Sequence, residues 1–201
     1  MIVRGNIELP DTIRLLDGQT NQVVLGEVIE LDRETAKREI DHSWRPAMAA
    51  IGNCDLSSEN DAGWVWHEEI GTLRVESGNR GCTLAVRVAG EVQGGIMYEI
   101  GCESFIDPSQ PAIFVARLAT AFWNRTWLRD PPRYRNVGRG LLRLAVWHSY
   151  RYGFGGRVTL EAYKDVKLAE WYEKFGFRLV TTDPDGISLF ELTPEAAAPL
   201  L

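Results

Sequence analysis

Cysteine is scarce in this chain: of 201 residues only Cys54, Cys82 and Cys102 carry a thiol. An odd number at spacings that fit no ligand motif argues against a disulfide framework and against a cysteine-held metal, so no metal is expected. A reduced, cytoplasmic setting is the simplest expectation. Histidine is equally rare, and His67 and His148 stand isolated in the sequence. No stretch approaches the roughly 18 uninterrupted apolar residues of a membrane-spanning helix, so no membrane partner is expected. Positive charge is in deficit, with 22 Lys and Arg against 28 Asp and Glu and a net charge of −6. Nucleic-acid binding, which needs a basic face, is therefore not expected, and the balance mildly favours a cationic partner. The opening MIVRGNIELPDTIRLL has no long apolar core and no small-residue cleavage site, so no signal peptide is expected.

What is present is ordinary globular material, 45% hydrophobic and 25% charged, in a length that suits one domain. Residues 1–22 read as an N-terminal extension forming an added strand or hairpin. Residues 23–193 read as a single domain, and 194–201 as a tail. There is no internal repeat.

Apolar periodicity places the elements. Residues 23–31 read as a strand. Ala36, Ile40, Trp44, Met48 and Ile51 trace a helix over 35–50, with Pro46 set to split or kink it. Residues 52–63 read as a loop, and Trp64 and Trp66 fall on alternate positions of a short strand. Residues 82–88 and 92–100 form a hairpin about Ala89-Gly90-Glu91. Gly94-Gly95 inside its second arm predicts a bulge or a close backbone approach. Residues 112–121 form a strand, 124–134 a loop, and 138–152 a helix closed by Gly153. Residues 158–162 form a strand, and Asp165 caps a helix that ends at Gly176. Two final strands, 177–182 and 187–192, flank a turn at Asp183-Pro184-Asp185-Gly186. The fold class is mixed α+β, with one strand–helix–strand crossover in the second half.

The stretch RYRNVGRGLL at 133–142 puts Gly138 and Gly140 at the start of a helix, with Arg135 and Arg139 beside them. A helix start carries unpaired N–H groups and a partial positive charge, and glycines let an anion approach the backbone. Arginines add charge-assisted hydrogen bonds, so a diphosphate is the natural guest. The ATP-binding Gly-Lys-Ser/Thr is missing, and so is the third glycine of the dinucleotide fingerprint.

The stretch from Val115 to Phe177 resembles the GNAT superfamily of N-acetyltransferases. The likeness rests on RLATAFWNR, on RYRNVGRGLLRLAV and on DVKLAEWYEKFGF. It implies a GNAT-type central twisted, mixed, mostly antiparallel sheet with splayed central parallel strands, flanked by helices. It implies acetyl-CoA as the acyl donor, with Arg135, Asn136, Val137, Gly138, Arg139 and Gly140 on its diphosphate. Leu118, Ala119 and Thr120 would bind the pantetheine arm through the backbone. Asp165 stands where the family has an asparagine that contacts the arm. Tyr172 matches a tyrosine near the thioester sulfur, suited to protonate the departing thiolate.

An attacking amine must first lose a proton to a carboxylate or to water held by one. Glu99 and Glu103 are the candidates for this base. The acceptor is a primary amine on a small molecule or on a protein. A homodimer is compatible with the resemblance. Alternatives stand beside these readings. Tyr172 on an apolar helix face also suits core packing, and Asn124 suits a turn. Trp64, Trp66 and Trp123 suit the core as well as an acceptor pocket. With an aspartate at 165 and no obvious base, a non-catalytic acyl-CoA-binding or regulatory module on the same fold is the alternative to an enzyme.

Overall fold

A computed structural model describes residues 9–49, 59–163 and 165–200. The expected loop over 52–63 is thus seen from Glu59 onward, while Ile51 and Cys54 lie outside the described residues. Two units are distinguished, residues 10–97 with 117–141, and residues 98–116 with 142–200.

The first unit holds β1 (Thr12–Asp17), β2 (Val23–Glu30), α1 (Arg33–Ala36), a π-turn at Lys37–Asp41, α2 (His42–Ala49), α3 (Trp66–Ser77) and β3 (Gly81–Val88). It also holds the start of β4 (Glu91–Glu103), the end of β5 (Pro111–Thr120), β6 (Tyr134–Arg135) and the first turn of α4 (Val137–Arg151). β1 and β2 pair antiparallel, from Thr12↔Glu27 to Leu16↔Val23. Their turn is built by Asp17, whose carboxylate accepts from the N–H groups of Gln19 (3.0 Å) and Thr20 (2.8 Å). Of the residues read as an N-terminal extension, 12–17 form one strand, whose partner β2 lies in the stretch read as the main domain, and β2 pairs onward to β3. The β3–β4 turn places Ala89 and Gly90 at φ 50° and 82°, the backbone of a tight primed hairpin turn.

Asp32 caps α1 by accepting from Thr35 N at 2.7 Å. The buried residues Ala36, Ile40, Trp44 and Met48 follow at intervals of four, the stripe the sequence predicts. The run is not split at Pro46, which sits inside α2; its irregularity lies upstream, in the π-turn. Trp64 and Trp66 are not on a strand. Trp66 opens α3, which buries Trp66, Ile70, Leu73 and Ser77 along one face. The core gathers Leu31, Ile40, Trp44, Trp66, Ile70, Val92, Met97, Ala119 and Phe122. Trp44 meets Trp66 and Phe122 edge-on at 6.1 and 6.4 Å.

The second unit holds the rest of β4, β5 and α4, together with β7 (Val158–Tyr163), α5 (Val166–Phe175), β8 (Arg178–Thr182), β9 (Ile187–Leu192) and α6 (Pro194–Ala197). β5 and β7 pair in parallel at Ile113↔Val158, Phe114↔Thr159 and Val115↔Leu160, so β5–α4–β7 is the expected crossover. β9 pairs antiparallel with β7 and with β8. Glu191 on β9 is fully buried yet satisfied. It pairs with Arg157 at 2.8 Å and accepts from Ser104 Oγ (2.8 Å), Phe105 N (2.7 Å) and Ile106 N (3.0 Å). The nine strands form one mixed sheet in the order β6-β1-β2-β3-β4-β5-β7-β9-β8, flanked by helices. Among the described residues, no helix is long and apolar enough to cross a membrane.

Candidate functional site

The glycine-arginine loop opens α4. Gly140 N donates to Asn136 O at 2.9 Å, the first bond of the helix, so the amides of Val137 and Gly138 precede the hydrogen-bond ladder. Asn136 turns the chain into the helix with φ 68°, a left-handed conformation that asparagine tolerates. Arg135, Asn136 and Arg139 are exposed, Gly138 is half-buried, and Val137 and Gly140 are buried. Arg135 is steered by Asn21, whose Oδ1 accepts from its guanidinium at 2.9 Å.

The two glycines of the loop differ in surroundings. A Cβ on Gly140 would lie 2.3 Å from Ile13 Cδ1, so this glycine lets α4 sit against β1. A matching device lies on β4. A Cβ on Gly94 would meet Val137 Cγ1 at 2.7 Å, Leu141 Cδ1 at 2.9 Å and Ala119 O at 3.0 Å. The close approach predicted from Gly94-Gly95 is therefore real. Gly94 brings β5 at Ala119 and the first turn of α4 together, while Gly95 makes room for the Trp66 ring at 2.8 Å.

The end of β5 is pinned by residues that the sequence does not single out. Arg125 is buried, and it donates to Thr120 O from Nε (3.1 Å) and Nη2 (2.8 Å). The same guanidinium pairs with Asp61, with one contact at 2.8 Å, and with Glu59. It also stands over the Phe122 ring at 4.1 Å. Two donors fill the acceptor capacity of the Thr120 carbonyl, so that group is not open to a pantetheine amide. Asn124 pins the chain that follows: its Nδ2 donates to Gln93 O and Oε1, both at 3.1 Å, and its Oδ1 accepts from Tyr134 N at 2.9 Å. Trp123 Nε1 donates to Gln93 Oε1 at 2.8 Å.

His67 is not isolated. Its Nδ1 lies 2.8 Å from Asp41 Oδ2, and Asp41 also accepts from the N–H groups of Trp66 (2.9 Å) and His67 (3.1 Å). Asp41 thereby caps α3, which has no capping side chain at Val65. A narrow cleft lined by Asp41, Trp44, Asp61, Trp64, Trp66 and Phe122, among others, has a volume of about 20 Å³, room for one water molecule. Trp66 is buried in the core, and Trp64 and Trp66 line this cleft.

The second unit places Glu99 half-buried and Glu103 exposed, both on β4. Asp165 caps α5, its Oδ1 accepting from Lys167 N (2.8 Å) and Leu168 N (3.1 Å), so this oxygen serves the helix. Tyr172 is buried, with ring contacts to Trp171 (5.1 Å), Phe177 (5.6 Å) and Phe190 (5.4 Å). Its carbonyl accepts from Phe177 N at 3.0 Å, and Gly176 N donates to Glu173 O at 2.9 Å, a Schellman closure that sets the ring against β9. Burial pushes the Tyr172 phenol pKa up, so the hydroxyl keeps its proton. His148 on α4 is not isolated either; its Nδ1 is hydrogen-bonded to the Tyr98 hydroxyl on β4. Among the described residues, no group of three or more His, Cys, Asp or Glu is placed to hold a metal ion.

No protein-family model matches the chain, and no curated protein does. Solved structures do. The PaiA N-acetyltransferase of Thermoplasma acidophilum, solved with coenzyme A, superposes with a TM-score of 0.54 at 17% identity, covering 84% of this chain and 98% of its own. The ribosomal-protein-S18-alanine N-acetyltransferase of Escherichia coli gives 0.51 at 15% identity, over 83% of this chain and 92% of its own. FdhC, a nucleotide-linked sugar GNAT in its apo form, gives 0.57 at 10% identity, over 94% and 93%. Identities this low speak for architecture, and the order β5–α4–β7 with its glycine-arginine loop agrees. The chain has the fold of the GNAT acetyltransferases.

Proposed function

We propose that the protein is an acetyl-CoA-dependent N-acyltransferase that transfers an acetyl group to a primary amine. The observation that carries this reading is the first turn of α4. Its amides at Val137 and Gly138, the half-buried Gly138 and the exposed Arg135 and Arg139 make a diphosphate cradle on a fold shared with a coenzyme A complex. In this reading residues 135–140 bind the diphosphate. Leu118 and Ala119 present backbone to the pantetheine arm. Thr120 does so only through groups other than its carbonyl, which Arg125 holds. Asp165 keeps α5 in place more than it contacts the arm.

The chemistry balances simply. An amine nitrogen forms a bond to the acetyl carbon as the carbon–sulfur bond breaks. The proton lost by the amine passes to Glu99 or Glu103, directly or through water. Tyr172, kept neutral by burial, supplies a proton to the departing thiolate. The products are the N-acetyl amide and the free thiol. The solved neighbours are described as acting on a protein alanine in one case and as a nucleotide-linked sugar enzyme in another, so the fold by itself does not choose the acceptor.

The test is calorimetry with acetyl-CoA, followed by thiol release with a panel of amines. Gly138→Asp, which adds bulk and negative charge at the turn, is expected to abolish acetyl-CoA binding. Unchanged affinity would remove the diphosphate from this loop. Binding without thiol release for any amine would favour the non-catalytic acyl-CoA module instead.

A further inference from the structure

Asn124 has no part in the reaction as proposed, yet its side chain engages both of its polar atoms on the route into the glycine-arginine loop. β6, the strand that enters this loop, is only two residues long and forms the edge of the sheet. The residue after it, Asn136, holds a left-handed backbone at φ 68°. A non-glycine residue keeps such a backbone where its surroundings fix it. On the inner side β1 does so, through Leu16↔Arg135 and Asp17↔Tyr134. The Tyr134 N–H is held instead by Asn124 Oδ1 at 2.9 Å. One residue earlier, Arg133 N donates to Trp123 O at 2.8 Å. A single turn at Phe122–Asn124 thus braces the outer side of β6. Gln93, wholly buried on β4, anchors that turn. Its backbone carbonyl accepts from Ala121 N (2.9 Å) and Asn124 Nδ2 (3.1 Å). Its Oε1 accepts from Trp123 Nε1 (2.8 Å) and Asn124 Nδ2 (3.1 Å), and its Nε2 donates to Glu91 O at 3.0 Å. A buried polar network with every member satisfied is rigid. Amides that take an anion gain affinity when they are held in place before it arrives.

We propose that Asn124 is a positioning residue for the diphosphate. Anchored on Gln93, it holds Tyr134 and so keeps the Val137 and Gly138 amides in the geometry that takes the anion. It acts on the diphosphate end of the ligand rather than on the pantetheine arm, because the end of β5 is pinned separately, by Arg125 at the Thr120 carbonyl. The inference deepens the acetyltransferase reading above and rests on it.

The experiment compares two ligands, acetyl-CoA and S-acetylpantetheine, which share the thioester arm and differ in the diphosphate-bearing nucleotide. Calorimetry reads the affinity of the first, and ligand-observed NMR, which reaches millimolar binding, that of the second. Asn124→Ala is expected to weaken acetyl-CoA at least tenfold and S-acetylpantetheine less than twofold. Gln93→Met keeps the volume and removes one anchor. It is expected to lower the ratio of the two affinities at least threefold, and it carries the test should Asn124→Ala not fold. Equal weakening of both ligands would make Asn124 a general support of the fold and overturn the inference. Unchanged acetyl-CoA affinity, in a variant with the wild-type thermal midpoint, overturns it equally. In both cases acetyl-CoA binding by the wild-type protein, lost in Gly138→Asp, leaves the acetyltransferase reading standing. Absence of acetyl-CoA binding by the wild-type protein overturns both.

Discussion

Gly94 on β4 and Val137 at the start of α4 stand so close that a single added methyl on the glycine would lie 2.7 Å from the valine side chain. The contact ties the position of the glycine-arginine loop to a strand that sequence spacing alone does not connect with it. Ala119 O, 3.0 Å from the same methyl position, leaves backbone on the other side, so relief must come from α4.

Gly94→Ala is accordingly expected to destabilise the protein by about 1–3 kcal/mol, the usual cost of overpacking, and to weaken acetyl-CoA binding. Val137→Ala in the same chain is expected to restore part of both. Urea unfolding and calorimetry on the two single variants and the pair measure the coupling. Strictly additive effects would mean that the two residues do not act on one another.

Arg125 offers a second test. Its removal leaves the half-buried carboxylates of Glu59 and Asp61 without this cation, and it frees the Thr120 carbonyl. Arg125→Met is expected to lose about 3–5 kcal/mol, read by chemical denaturation. Arg125→Lys keeps the charge but not the fork, and should fall between the two.

Tyr172 separates chemistry from binding. Tyr172→Phe keeps the ring contacts with Trp171, Phe177 and Phe190 and removes only the hydroxyl. Under the proposed role, turnover drops at least tenfold while acetyl-CoA affinity stays within twofold. Wild-type turnover would reduce this residue to packing.

His148 predicts a pH dependence. Burial first, and then Arg151, lowers its pKa from the ordinary 6.5 to about 4. The folded protein therefore holds this imidazole neutral where the unfolded chain would protonate it. Its contribution is complete above about pH 6.5 and is lost as pH falls toward 4, by at most about 1.4 kcal/mol per pH unit. The denaturation midpoint of His148→Gln should change less across that window than that of the wild-type protein.

How legible these features were in the sequence depends on their range. The β5–α4–β7 crossover could be read because its signals are local: alternation in β5, glycines and arginines at the mouth of α4, Asp165 and Gly176 at the two ends of α5. α3 escaped that reading because Gly71 and Thr72 interrupt it, Val75 is exposed on it, and its cap is Asp41, 25 residues upstream of the Trp66 amide. β6, a strand of two residues, is too short for any period. The buried clusters were not legible for a different reason. Arg125 meets Glu59 and Asp61 across separations of 66 and 64 residues, and nothing in their neighbours marks the pairing. Asp165 was readable as a cap, but that its carboxylate oxygen is held by two amides is a matter of geometry.

Glu191 carries a temporal implication. Ser104, Phe105 and Ile106 take their shape from a carboxylate that lies 85 to 87 positions later in the chain. During synthesis that bend must wait, unsupported, until β9 leaves the ribosome. The strands on either side of it, β4 and β5, are then expected to stay open to proteases in a nascent chain halted before residue 191 and to close once that single side chain arrives.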